Sequence, residues 1–113
     1  MPNSGELQIF KAEFFRALAH PVRIRILEIL CGGDRSVQEL QDALQVEQPL
    51  VSQQLAVLRA KNIVVARKLG TTVKYSVRDP LVGELLKVAR LIFEKRLKDT
   101  QNMLRELRRE SGR

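Results

Sequence analysis

A chain of 113 residues with a formal net charge of +7 and a pI near 10.2 has room for one domain with a modest core. Its basic excess points to a polyanionic partner, nucleic acid ahead of an anionic membrane surface. A single cysteine excludes an internal disulfide, and no apolar run reaches the length of a membrane span. With 44% hydrophobic residues, 4% aromatic and no Trp, the core must be built from Leu, Ile, Val and Ala, which favours helices.

One domain spanning 1–113 is expected, and Met1–Glu6 is expected to be loose, with no signal-peptide pattern. Leu7–Ala19 reads as a helix with Leu7, Phe10, Phe14 and Leu18 along one face. His20-Pro21 is a boundary, His20 suiting an N-cap and Pro21 a first helical position. Val22–Cys31 is apolar over a wide arc, with Arg23, Arg25 and Glu28 left outside, so it reads as a central core helix ended by Gly32-Gly33. Cys31 is expected to be a small buried hydrophobe there.

Ser36-Val37-Gln38-Glu39 has the capping-box pattern and opens a helix with Val37, Leu40 and Leu44 inward. Gln45–Glu47 is a turn. The next helix, Gln48–Ala60, places Val51, Leu55 and Leu58 on one face and leaves Gln48, Ser52, Gln53, Ala56 and Arg59 elsewhere. A helix with a narrow buried stripe and exposed amides, hydroxyls and a guanidinium suits the major groove of DNA. Val64–Leu69 and Thr72–Val77 are strand-like runs about Gly70, rich in Lys and Arg. The fold class expected is mainly α with a small β-hairpin, a winged helix-turn-helix with the helix-turn-helix at 36–60 and the wing at 63–77. From Asp79-Pro80 to about Arg109 nothing interrupts a helix of roughly 40 Å. Its apolar stripe exceeds what so small a core can cover, and the simplest cover is a second copy of the chain. The expected dimer is held by 7–19 and 80–109, with Phe10, Phe14, Leu85, Ala89, Ile92, Phe93 and Leu97 at the interface.

Two stretches carry a resemblance to a known family. Ala17-Leu18-Ala19-His20-Pro21-Val22-Arg23-Ile24-Arg25-Ile26-Leu27 resembles the opening signature of ArsR/SmtB-type repressors, and Val51–Arg59 resembles their recognition helix. Lys68–Val77 resembles their wing. The likeness spans roughly Phe10 to Leu97 and implies a homodimeric DNA-binding repressor that leaves its operator when a signal arrives. Where metal-sensing members carry a Cys-Val-Cys-like motif, this chain has Ser36, Val37 and Gln38, and its last helix has no His. Thiolate and imidazole are the ligands that hold a transition metal tightly, and one Cys with one His falls short of four per subunit. No metal and no cofactor is therefore expected, and the inducing signal stays open.

On a near-palindromic double-stranded operator, paired recognition helices would sit about 34 Å apart. Gln48, Ser52 and Gln53 are the candidate base readers, because Gln can pair bidentately with adenine and Ser adapts. Arg59, and in the wing Arg67, Lys68, Thr71, Thr72 and Lys74, are the candidates for phosphate or minor-groove contact. The basic run from Arg90 to Arg109 reads as a solvated helix face. Cys31 is the one candidate redox residue.

An enzyme is the weakest reading, since no Gly-rich phosphate loop, paired carboxylates or nucleophile with its base stands out. The alternatives are a winged-helix regulator of another family, MarR-like, or a non-catalytic module binding nucleic acid or protein. A membrane-surface role for the last helix ranks lower. A cytoplasmic location is expected.

Overall fold

The computed structural model describes residues 4–112, which form two compact units, one ending at Pro80 and one beginning at Leu81. In the first, α1 (Ser4–Leu18) and α2 (Pro21–Leu30) are followed by α3 (Val37–Leu44), α4 (Gln48–Ala60), β1 (Val64–Leu69) and β2 (Thr72–Val77). The second is one helix, α5 (Leu81–Ser111).

Of the segment expected to be loose, Ser4, Gly5 and Glu6 are already in α1, and Met1–Asn3 lie outside the described residues. At the other end of α1 the backbone turns sharply into α2. His20 makes that turn, its Nδ1 accepting from the Val22 amide at 3.1 Å with Pro21 in the first helical turn. Arg23, expected to point outward, reaches back instead. Its Nη1 donates to the Ala17 carbonyl at 2.9 Å, placing a cation at the negative end of α1.

The buried face of α2 is narrower than its sequence implies. Ile26, Leu27 and Leu30 are buried, whereas Ile24 is exposed and Val22 and Ile29 are half-buried. α3, α4 and β2 supply most of the packing on this helix within the unit, and one side of it remains outward. Cys31 is exposed, because it sits at the C-cap where the chain leaves the core. The expectation of a buried cysteine is thereby corrected.

α3 opens with the full capping box. The Glu39 amide donates to Ser36 Oγ at 3.1 Å and the Ser36 amide donates to Glu39 Oε1 at 3.0 Å, satisfying two orphan donors. It ends at Gln45, held in the left-handed region at φ 57°, whose amide donates to the Gln41 carbonyl at 2.8 Å. α4 ends in a Schellman motif. Asn62 takes φ 60°, its amide donates to Arg59 at 3.0 Å, and the Ile63 amide donates to Leu58 at 2.9 Å. That closure points Ile63 and Val64 into the core beside Leu40, Val51, Leu55 and Leu58, all nearly or fully buried. Each such side chain contributes roughly 1.5–3 kcal/mol by leaving water.

The strands pair antiparallel with Val64 opposite Val77 and Leu69 opposite Thr72. Gly70 supplies φ 64° at the first position of the two-residue turn, which a residue with a Cβ resists. The sequence gives no sign of a further pairing at Arg35. Its amide donates to the Tyr75 carbonyl at 3.1 Å and its carbonyl accepts from the Tyr75 amide at 2.7 Å. The entrance to α3 is thus hydrogen-bonded to the wing, and the unit is a winged helix-turn-helix.

α5 runs 31 residues, roughly 46 Å at about 1.5 Å per residue. Arg90 pairs with Glu94 at 3.0 Å one turn on. Ile92, Phe93, Leu97, Leu104 and Leu107 are all exposed along it.

Candidate nucleic-acid interface

α4 separates its two faces as its sequence spacing requires. Val51, Leu55 and Leu58 are buried, while Gln48, Gln53, Ala56 and Arg59 are exposed and Ser52 is half-buried. Gln48 and Ser52 stand one turn apart, and Gln48 Nε2 donates to Ser52 Oγ at 2.6 Å. Two candidate base readers are therefore joined in the free protein. Gln53 is outside that bond. Beside them an open groove runs between α4 and β2, lined by Ser52, Leu55, Ala56, Arg59, Ala60 and Tyr75.

Gln54, which the sequence reading passed over, faces the other way. It is 8% exposed, and its Oε1 is buried with no hydrogen-bond partner among the described residues. An amide inside the apolar stripe of a helix was readable from its position between Val51 and Leu58. Its lack of a partner was not.

In the wing, Lys68, Thr71 and Thr72 are exposed about the turn, and Lys68 has no carboxylate partner among the described residues. Arg67 and Lys74 lie directly opposite each other across the two strands. Each meets an acid. Arg67 Nη2 pairs with Asp34 Oδ2 at 3.2 Å, and Lys74 Nζ pairs with Glu39 Oε1. The Glu39 carboxyl is held down to a pKa of about 2, first by the hydrogen bond from Lys74 and then by the Ser36 amide. The sequence marks Glu39 for the capping box but gives no sign that it or Asp34 meets the wing, because they lie 35 and 33 residues from the cations they pair with.

The residues expected at a dimer interface fall on both units. On α1, Phe10 is 72% exposed and Phe14 is half-buried, edge-on to Phe15 with ring centroids 5.6 Å apart. Phe10, Phe14, Phe15 and Ile63, with Lys11, Glu13 and Lys61, line a mostly apolar cavity of about 260 Å³. On α5, Ile92, Phe93 and Leu97 are exposed, and Leu85 and Ala89 are half-buried. His20, already serving as an N-cap, and Cys31 lie at opposite ends of α2. Among the described residues no group of three or more His, Cys, Asp or Glu side chains is placed to hold a metal ion.

Comparison with known proteins bears on this surface. The model of the family "Bacterial regulatory protein, arsR family" matches residues 20–65, from the start of α2 into β1. The HTH-type transcriptional regulator Rv0081 of Mycobacterium tuberculosis is 47% identical over 106 residues, 93% of each chain. Its crystal structure superposes with a TM-score of 0.77 at 48% identity, covering 83% of this chain and 95% of that one. The transcriptional repressor SmtB of the same organism is 45% identical over 78 residues, 69% of this chain and 58% of that protein. The homodimeric winged helix-turn-helix DNA-binding domain of Mb0332 from Mycobacterium bovis superposes with a TM-score of 0.77 at 25% identity, covering 88% of this chain and 92% of that one.

Proposed function

Because the chain belongs to the ArsR family of bacterial regulatory proteins, we propose that it is a homodimeric repressor that binds a near-palindromic operator and leaves it in response to an inducing signal. It regulates transcription as a DNA-binding protein and not as an enzyme. The carrying observation is the outward face of α4, where Gln48, Ser52 and Gln53 form a polar face with Arg59 exposed further along the helix. A helix of this kind fits the major groove, with amide and hydroxyl groups at base edges and cations at phosphate. Arg59, Lys68, Thr71 and Thr72 would supply the sequence-independent part of the affinity.

Dimerisation supplies the second half-site. The exposed Phe10 on α1 and the exposed Ile92, Phe93 and Leu97 on α5 are apolar surfaces that a second copy would cover. The homodimeric Mb0332 domain supports that reading. A MarR-like assignment is not favoured, since the matching family model and the SmtB relative both fall on the ArsR/SmtB side.

The test is selection of fragmented genomic DNA with the purified protein, followed by footprinting and sedimentation. One enriched promoter is expected, protected over two half-sites about one helical turn, roughly 34 Å, apart, with two copies of the chain bound. No enrichment over random DNA, or full discrimination by a single subunit, would overturn the reading.

A further inference from the structure

Two cations face each other midway along the wing. Arg67 and Lys74 are direct cross-strand partners, the one position in the hairpin register where two like charges meet. Side chains so placed are about 4.5–5.5 Å apart at Cβ, and like charges there destabilise the pair. Both are answered from one short segment before and inside the start of α3. Asp34 takes Arg67, and Glu39 takes Lys74 while also accepting from the Ser36 amide. Between those acids, Arg35 exchanges two backbone hydrogen bonds with Tyr75, the neighbour of Lys74. Three attachments therefore join 34–39 to both strands: one carboxylate to β1, one carboxylate to β2 and one backbone bridge to β2.

We infer that the segment from Asp34 to Glu39 is an electrostatic staple that sets the wing against the helix-turn-helix, so that Arg67 and Lys74 are positioning residues and the wing meets the DNA backbone through its tip, Lys68 to Thr72. This rests on the DNA-binding reading above. A cation whose charge is already met by a carboxylate displaces fewer counterions when phosphate approaches, whereas Lys68 carries its charge unmatched. The staple also ties the wing to the capping box. The Glu39 oxygen that caps α3 is the same one that receives Lys74, so the start of the helix and the angle of the wing are fixed at one atom.

The test is the slope of log affinity against log salt for full-length protein on a fluorescent mixed-sequence duplex of about 30 base pairs. Lys68→Gln should flatten the slope by about 0.9, the share of one phosphate contact. Arg67→Gln and Lys74→Gln should each change it by less than half as much, while weakening binding at every salt concentration. The charge-swapped double variant Asp34→Arg with Arg67→Asp should recover affinity lost in Arg67→Asp alone, which a simple loss of folding would not do. Thermal melts confirm that each protein compared is folded, and the swap serves if a single variant is not. A flattening by Arg67→Gln or Lys74→Gln equal to that of Lys68→Gln, no flattening by Lys68→Gln, or no recovery in the swap overturns the staple. Wild-type protein with no salt-dependent binding would instead overturn the DNA-binding reading itself.

Discussion

Gln54→Leu should stabilise this protein, although it removes a polar residue from the recognition helix. The Gln54 side chain lies within the buried stripe of α4, and its Oε1 meets neither solvent nor a donor among the described residues. A buried acceptor left without a partner costs about 1–3 kcal/mol. Leucine is close to glutamine in size, so it can fill the space without a large cavity and adds apolar surface beside Val51, Leu55 and Leu58. Allowing for imperfect repacking, the net gain should be about 1 kcal/mol. In a unit of this size that raises Tm by about 4–8 °C. Circular dichroism melts, with urea titrations to check that the slope m is unchanged, would measure it. The adjacent Leu55→Ala is the calibration, since truncating a fully buried leucine costs about 3–5 kcal/mol and should lower Tm far more. DNA affinity should be unaltered in Gln54→Leu, because the outward face of α4 is untouched. A fall in Tm would refute the reasoning, for it would mean that the amide is bonded in solution and that leucine breaks the bond.

Other substitutions probe the interface and its scaffold. Gln53→Ala should weaken the preferred operator by about 1–3 kcal/mol and relax its sequence choice, and equal losses on operator and random DNA would remove Gln53 from base reading. Ser36→Ala deletes the acceptor of the Glu39 amide and should cost about 1 kcal/mol in chemical denaturation, with an unchanged midpoint counting against the cap. Glu39→Gln keeps the capping geometry but loses the charge facing Lys74. Because the Glu39 carboxyl is depressed from 4.5 to about 2, its contribution is present in full above pH 4.5 and is lost as the pH falls toward 2. The Tm difference between wild type and Glu39→Gln should therefore close across that window, and a constant difference would show that Lys74 does not hold the carboxylate.

Local patterns in this chain were legible, and contacts between distant segments were not. The spacing of Val51, Leu55 and Leu58 and the cluster around Gly70 placed α4 and both strands at the bounds the structure has, and Ser36 and Glu39 announced their own cap. Each of those signals is complete within one helix or one hairpin. What escaped notice needs a partner elsewhere in the chain. Arg23 reads as a surface cation until the open carbonyl end of α1 is beside it. Arg35 has no strand signature, because a single bridging residue leaves no period to detect. Arg67 and Lys74 read as two basic residues of a wing, and only the fold brings Asp34 and Glu39 to them. The exposure of Cys31 followed from where α2 ends, a matter of one residue that apolar content alone does not resolve.

The bond between Gln48 and Ser52 bears on how an operator would be read. If both side chains engage the groove, one cannot change its hydrogen-bonding without releasing or recapturing the other. Preferences at neighbouring base pairs would then be correlated, and a scoring matrix that sums independent positions would misjudge doubly altered sites. Operators carrying two adjacent changes should depart from the sum of the single changes, and Ser52→Ala should bring them back to additivity.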